Sequence, residues 1–279
     1  MSLVVFTGAV GFALAPQPID WMKLLAALSA IAAGAGACGA LNMWWDADID
    51  AKMARTAMRP IPRGVVPRAE ALAIGVLLSI VSVAALAINV NWLSAALLAL
   101  TIAIYVPLYT MVLKRWTPLN IVIGGAAGAL PPVIGWAAAT NSLGAGPIAM
   151  FLITFLWTPP HFWALALCRS GDYERVGVPM LPNVAGPAAT CRQIVIYALL
   201  LIPASFGPLV IPGVGLLYGA VAAAADAALV WRALALYRLR EGDEPARRKA
   251  AMALFGLSIL YLFVLFAAML AEVILRARA

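Results

Sequence analysis

The chain has 279 residues, 65% of them hydrophobic and 11% charged, with a formal net charge of +7. Apolar runs of about twenty residues recur along it, long enough to cross a hydrocarbon layer as helices, which excludes a soluble enzyme and predicts an all-α polytopic membrane protein. With no aromatic-interleaved basic patch and no Gly-rich phosphate loop, the positive charge points to membrane topology and anionic ligands rather than to nucleic acid.

About nine spans are predicted, near 2–15, 19–41, 68–89, 91–113, 118–139, 147–168, 188–211, 213–237 and 250–275, forming a single membrane-embedded domain over 1–279. The first is short for a bilayer crossing. Of 19 Lys and Arg residues, 16 fall in four alternate connections: five in 52–68, two at Lys114–Arg115, three in 169–192 and six in 232–249. The connections near 89–91, 140–147 and 208–213 hold none. The positive-inside rule then places the four basic connections and the N-terminus in the cytoplasm. Cys38, Cys168 and Cys191 form no paired motif and read as small apolar fillers. The bias toward Ala and Arg fits a bacterial inner membrane.

The second span runs into Asn42-Met-Trp-Trp-Asp46-Ala-Asp48-Ile-Asp50-Ala-Lys52-Met-Ala-Arg55-Thr56-Ala-Met-Arg59-Pro60. Asn42, Asp46 and Asp50 lie at i, i+4 and i+8, so on a helix they share one face. Two carboxylates one turn apart repel unless a cation sits between them. Oxygen donors of this kind suit Mg²⁺, which binds through one or two carboxylates plus substrate phosphates. Arg55 and Arg59, again one turn apart, suit a phosphate clamp. The alternative is an ordinary charged loop, which rarely sets carboxylates in helical register at a membrane edge.

Further along, Lys114-Arg115 either anchors a helix end at the interface or completes a cationic cup for an anionic head group. His161, the only histidine, sits in Trp157-Thr-Pro159-Pro160-His161-Phe162-Trp163, where the prolines are expected to distort the helix. It is either a functional group at membrane depth or a partner for a carbonyl that the prolines free. In the connection after it, Asp172 and Glu174 hold a second cation, or Asp172 acts alone; the alternative is a Gly/Pro-rich turn. The two acidic connections follow the second and sixth spans, hinting at a duplicated helical unit. Asp226 is expected to face the bundle interior, with no partner evident.

Bound Mg²⁺ and an arginine clamp over an apolar bundle suit a diphosphate with a long hydrocarbon tail. A neutralised diphosphate leaves readily, and an allylic chain then ionises to a cation. Trp44, Trp45, Trp157, Phe162 and Trp163 are expected to line a dry cavity that shields it.

The first segment resembles the Asn-x3-Asp-x3-Asp signature of the UbiA-type intramembrane prenyltransferases. Its continuation through Arg55, Thr56, Arg59 and Pro60 resembles the protoheme IX farnesyltransferase (haem O synthase) branch. So do Lys114-Arg115-x-Thr117-x-x-Asn120, Pro159-Pro160-His161-Phe162-Trp163 and Asp172-Tyr173-x-x-x-Gly177-Val-Pro-Met-Leu-Pro182. Four motifs in order cover nearly the whole chain. The resemblance implies a nine-helix bundle that moves the farnesyl group of farnesyl diphosphate onto a vinyl group of haem b. Water capture then gives haem O for terminal oxidase biogenesis, with contact to haem A synthase or oxidase assembly factors. By position, Asn42, Asp46 and Asp50 match the metal–diphosphate motif and Asp172 the second acidic motif. Arg55, Arg59 and Lys114 match the basic residues near the diphosphate, with Arg115 beside them, and His161 falls where the branch has its histidine. Two departures stand out. Asp172 lacks the second aspartate that the wider superfamily places four residues later. Family members also normally begin with a Lys-Pro-Arg segment before the first helix, whereas Met1 starts just beyond that point, so either the start is placed too late or a basic contributor to the site is missing. Rival readings are a UbiA-type enzyme acting on a quinone precursor or chlorophyllide, a transporter, and a haem chaperone that has no need of Asp46 and Asp50.

Overall fold

A computed structural model describes residues 2–278, which are helices joined by short connections with no strand among them. In chain order these are α1 (Ser2–Ala13), α2 (Trp21–Trp45), the single turn α3 (Ala47–Asp50), α4 (Arg68–Asn89) and α5 (Trp92–Ala103). α5 continues as a π-helical stretch, Ile104–Leu113, into the short α6 (Lys114–Trp116). Then come α7 (Asn120–Ala129), α8 (Pro131–Thr140), α9 (Ala145–Cys168), α10 (Ser170–Arg175), α11 (Leu181–Ser205), kinked at Gly186 where φ is 81°, α12 (Leu216–Arg238) and α13 (Glu244–Arg278).

Among the described residues, eight helical segments are long and apolar enough to cross a membrane. The ninth predicted span is α1, whose 12 residues rise only about 18 Å. It lies backbone to backbone on α8: a Cβ on Gly11 would strike the Pro132 backbone, and one on Gly135 the Gly8 carbonyl. Small residues permit that approach, as in other membrane helix pairs.

Local chemistry sets the helix ends. The Asp20 carboxylate caps α2 by accepting from the Met22 and Lys23 amides at 3.0 and 3.1 Å. Asn91 caps α5 and donates to the Ala137 carbonyl at 2.8 Å, tying the neutral ends of α5 and α8 together. Pro107 removes one donor from the α5 ladder, which widens there to i→i−5 spacing. Pro159 and Pro160, by contrast, lie inside α9 without interrupting it. α9 is flanked by α11, α13 and α7, and this packing holds it in line.

Two apolar cores result. The larger joins α9, α11, α12 and α13 through residues such as Ile153, Ile194, Tyr218 and Phe266. The smaller joins α1, α2, α4, α5 and α8 through Phe12, Ile31, Leu86, Leu98 and Ile134.

Candidate active site

α2 ends at Trp45 and α3 begins at Ala47, yet the helical register survives the junction. The Asp46 amide donates to the Asn42 carbonyl at 2.9 Å and the Asp50 amide to the Asp46 carbonyl at 2.8 Å. Asn42, Asp46 and Asp50 therefore remain on one face, as their spacing predicts. They are 8%, 0% and 2% exposed. Buried carboxylates require partners, and each has them. Asp46 pairs with Lys114 through its Oδ2, takes Arg115 Nη2 on Oδ1 at 3.4 Å, and accepts from Asn42 Nδ2 at 2.9 Å. Asp50 pairs with Arg59 at 2.7 Å, and the same guanidinium nitrogen reaches Asn42 Oδ1 at 3.5 Å. Asp48, two residues from each, points outward with its side chain 55% exposed. It takes Arg115 in two bonds, at 2.9 and 3.1 Å, and that guanidinium holds the Asp48 carboxyl below the usual carboxylate range. Lys114 and Arg115 thus face the carboxylates of Asp46 and Asp48 at this end of the bundle.

The π-helical stretch positions these two cations. The Thr110 hydroxyl donates to the Tyr105 carbonyl five residues back at 2.8 Å and accepts from Asn42 Nδ2 at 3.3 Å. Both protons of the Asn42 amide are thereby used, on Asp46 and Thr110, and Oδ1 is turned toward Arg59. Tyr105 and Tyr109 on the same stretch form a tilted pair, with ring centroids 5.5 Å apart and planes at 45°. Sequence reasoning missed Thr110; the available signal was Pro107 inside an apolar span.

Residues 51–66 are a succession of turns rather than a continuing helix, which corrects the pairing of Arg55 with Arg59 on one helical face. Arg59 enters the site; Arg55 is exposed and in no ion pair among the described residues. The loop is pinned by Thr56, which donates to the Asp50 carbonyl at 3.1 Å, and by buried Met53. Met53 and Ile49 pack with Ile121, Ala166, Val178 and Met180, so the first and second acidic connections meet. Between them lies a cleft of about 120 Å³ lined by Asp48, Ile49, Lys52, Arg115 and Val176–Val178.

In the second connection Asp172 is buried on α10 and pairs with Arg175 at 3.5 Å and Arg169 at 4.0 Å. Glu174, two residues on and so on another face, is exposed, which removes the expectation that the two hold a cation together. Among the described residues no three His, Cys, Asp or Glu side chains converge on one point.

His161 is 8% exposed and bonds not to a carbonyl freed by the prolines but to the Ser258 hydroxyl, Nδ1 to Oγ at 2.7 Å. The aromatic residues expected to line one cavity are divided, with Trp157 and Phe162 both against the His161 ring and Trp163 elsewhere. Trp163 is buried in the larger core against Tyr197, Phe162 faces outward, and Trp157 stacks on His161. Asp226 has partners that sequence did not supply, the hydroxyls of Ser205 at 2.6 Å and Tyr261 at 2.7 Å. Glu272, overlooked in the sequence, accepts from the Gly215 and Tyr218 amides at 2.9 and 2.8 Å and pairs with Arg276.

An α-helical bundle of apolar spans with buried carboxylates matched to cations at one end defines an integral membrane protein. The chain belongs to the UbiA prenyltransferase family, whose profile matches residues 4–259. It is 57% identical to "Protoheme IX farnesyltransferase 2" of Mesorhizobium japonicum, over 98% of this chain and 86% of that one. It is 56% identical to "Protoheme IX farnesyltransferase" of Parvibaculum lavamentivorans, over 98% and 85%. Among solved structures, a digeranylgeranylglyceryl phosphate synthase superposes with a TM-score of 0.80 at 17% identity, covering 97% of this chain and 93% of that one. A UbiA homolog from Archaeoglobus fulgidus bound to GPP and Mg²⁺ superposes with a TM-score of 0.66 at 16% identity, covering 96% and 94%. These structural likenesses establish the shared fold.

Proposed function

We propose that this chain, acting as one domain over 1–279, transfers the farnesyl group of farnesyl diphosphate to a vinyl group of haem b, giving haem O. The observation that carries this reading is the ion-paired face of Asn42, Asp46 and Asp50 against Lys114, Arg115 and Arg59, in a chain 57% identical to a protoheme IX farnesyltransferase. In the reaction the allylic C–O bond breaks and the diphosphate leaves with its electron pair. The farnesyl carbon bonds to the terminal vinyl carbon, and water adds to the resulting cation with loss of a proton.

Asn42 Oδ1, Asp46 and Asp50 offer only hard oxygen donors, a set that fits Mg²⁺. Bound there, the ion neutralises charge on the leaving diphosphate. Each carboxylate now holds a cation of the chain, so ligand binding is an exchange: Lys114, Arg115 and Arg59 turn from carboxylate to phosphate oxygens. Arg55, exposed at the rim, is placed to meet incoming phosphates. Asp172 serves as the acid of the second connection, releasing Arg169 and Arg175 in the same way. His161 faces the haem, as an axial ligand or as an acid or base; unchanged haem binding and turnover in His161→Ala would remove that role.

The Lys and Arg distribution supports a multi-pass bacterial inner-membrane protein with its N-terminus and site in the cytoplasm, handing product to haem A synthase or oxidase assembly factors. Membranes containing the protein, given haem b, farnesyl diphosphate and Mg²⁺, should yield a haem heavier by one farnesyl group plus water by mass spectrometry. Diphosphate release with unchanged haem mass would transfer the reading to another acceptor, a quinone precursor or chlorophyllide. No release, repeated with an upstream Lys-Pro-Arg segment added before Met1, would favour a carrier or chaperone.

A further inference from the structure

His161 is held on three sides. Its ring is sandwiched between Trp157, with centroids 4.3 Å apart and planes 20° from parallel, and Phe255, at 4.6 Å and 24°. Phe162 meets it edge-on at 5.0 Å. With both faces covered, only the ring edge is left for polar contact, and on that edge Nδ1 lies 2.7 Å from Ser258 Oγ. Ser258 is fixed in turn: its Oγ lies 2.7 Å from the Phe255 carbonyl, and its own carbonyl accepts from Trp157 Nε1 at 2.7 Å.

Proton counting then separates the two neutral tautomers. A serine hydroxyl has one proton to give. If it goes to the Phe255 carbonyl, the oxygen is free to accept from Nδ1–H, and both protons are bonded. If it goes instead to a bare Nδ1, the imidazole proton sits on Nε2, for which no acceptor exists among the described residues. That arrangement also gives up the Oγ bond to the Phe255 carbonyl, so it makes one protein hydrogen bond where the first makes two. Ser258 is not part of any motif read from the sequence, and it lies 97 residues from His161.

We infer that Ser258 is a positioning residue that locks His161 as the Nδ1–H tautomer and so presents the unprotonated Nε2 as a ligand for the iron of the porphyrin acceptor. The inference rests on the haem-facing reading of His161 and sharpens it. An Nε2 lone pair binds iron, whereas an Nε2–H cannot. Histidines that ligate metals characteristically donate their other ring proton to a fixed acceptor, which sets tautomer and ring orientation.

The chain has a single histidine, so ¹⁵N-histidine labelling of protein purified through a histidine-free tag gives the NMR signals of one imidazole. In the wild type, at a pH where the ring is neutral, Nδ1 should show the protonated, pyrrole-type shift and Nε2 the pyridine-type shift. The reverse pattern would overturn the inference without any variant. Ser258→Ala should shift the population toward Nε2–H, and Ser258→Thr, which keeps the hydroxyl, should restore Nδ1–H. A wild-type pattern in Ser258→Ala would show that Ser258 does not set the tautomer. Titration with haem b should then give an imidazole-ligated Soret spectrum that His161→Ala loses and that Ser258→Ala reaches only at roughly tenfold or higher haem concentration. Retention of that spectrum in His161→Ala would overturn the iron-ligand role while leaving the tautomer assignment standing.

Discussion

Lys114 offers a way to separate competition from recruitment. In the ligand-free chain its ammonium sits on Asp46 Oδ2 and so opposes any cation seeking that carboxylate, yet in the proposed reaction it serves the diphosphate. Lys114→Met should therefore have opposite effects on two ligands. At contact distance near a protein surface, two unit charges interact by about 4 kcal/mol at an effective dielectric constant of 20. Arg115 at 3.4 Å and Asn42 at 2.9 Å still hold Asp46 in the variant, so the net change is smaller, about 1–3 kcal/mol, the range of a charge-assisted hydrogen bond. Since about 1.4 kcal/mol is tenfold in a binding constant, Mg²⁺ alone should bind about tenfold or more tightly to the variant. Farnesyl diphosphate with Mg²⁺ should bind about tenfold or more weakly. Calorimetry on protein in lipid nanodiscs reads both constants directly. Mg²⁺ binding that weakens or stays unchanged would refute the exchange of cations on Asp46. Unchanged diphosphate binding would refute the assignment of Lys114 to the phosphates.

Three further outcomes are expected. Thr110→Val removes the acceptor that orients the Asn42 amide and should raise KM for farnesyl diphosphate about fivefold, the loss of about 1 kcal/mol, while Thr110→Ser stays near wild type in the same steady-state assay. Tyr261→Phe takes one of two hydroxyl donors from buried Asp226 and should lower stability by about 0.6 to 1.7 kcal/mol in denaturant unfolding, with turnover retained. Asp48, whose pKa Arg115 lowers, contributes stability that is complete above the ordinary carboxylate value of about 4 and is lost as pH falls through the lowered folded value. The pH–rate profiles of wild type and Asp48→Asn should accordingly run parallel from pH 6 to 9; a limb displaced in that window would refute the assignment.

What could be read from the chain alone was what is local. The register of Asn42, Asp46 and Asp50 needs only the helix repeat, and it survives the break at Asp46 because the i→i−4 amide bonds continue across it. Arg55 and Arg59 were indistinguishable by the same logic, because what separates them is a loop pinned by Met53 and Thr56. Pro159 and Pro160 show the same limit: their effect on a helix depends on its neighbours, and α9 runs through them without interruption. The partners that complete each polar site come from far along the chain, 68 residues for Lys114 on Asp46 and 35 for Tyr261 on Asp226, beyond the reach of any periodicity.

The nature of those partners divides the buried acids into two groups. Any acid in this bundle must be satisfied, because an unpaired charge in a low-dielectric interior is prohibitive. Asp46, Asp50 and Asp172 are satisfied mainly by Lys and Arg side chains on mobile stems, which a bound metal and diphosphate can take over without leaving any group unpaired. Asp226 is satisfied by two neutral hydroxyls and Glu272 largely by backbone amides, partners that an incoming anion has no reason to recruit. On that criterion Asp226 and Glu272 are anchors that join α12 to its neighbours α11 and α13, and the reactive chemistry belongs to the end where carboxylate and cation are exchangeable. The criterion is also testable at a single position: Asp226→Asn keeps one acceptor oxygen, and its new amide donor can meet the Ser205 oxygen, whose own proton goes to the Ile202 carbonyl, so turnover should stay intact, whereas Asp50→Asn, equally isosteric, should abolish it.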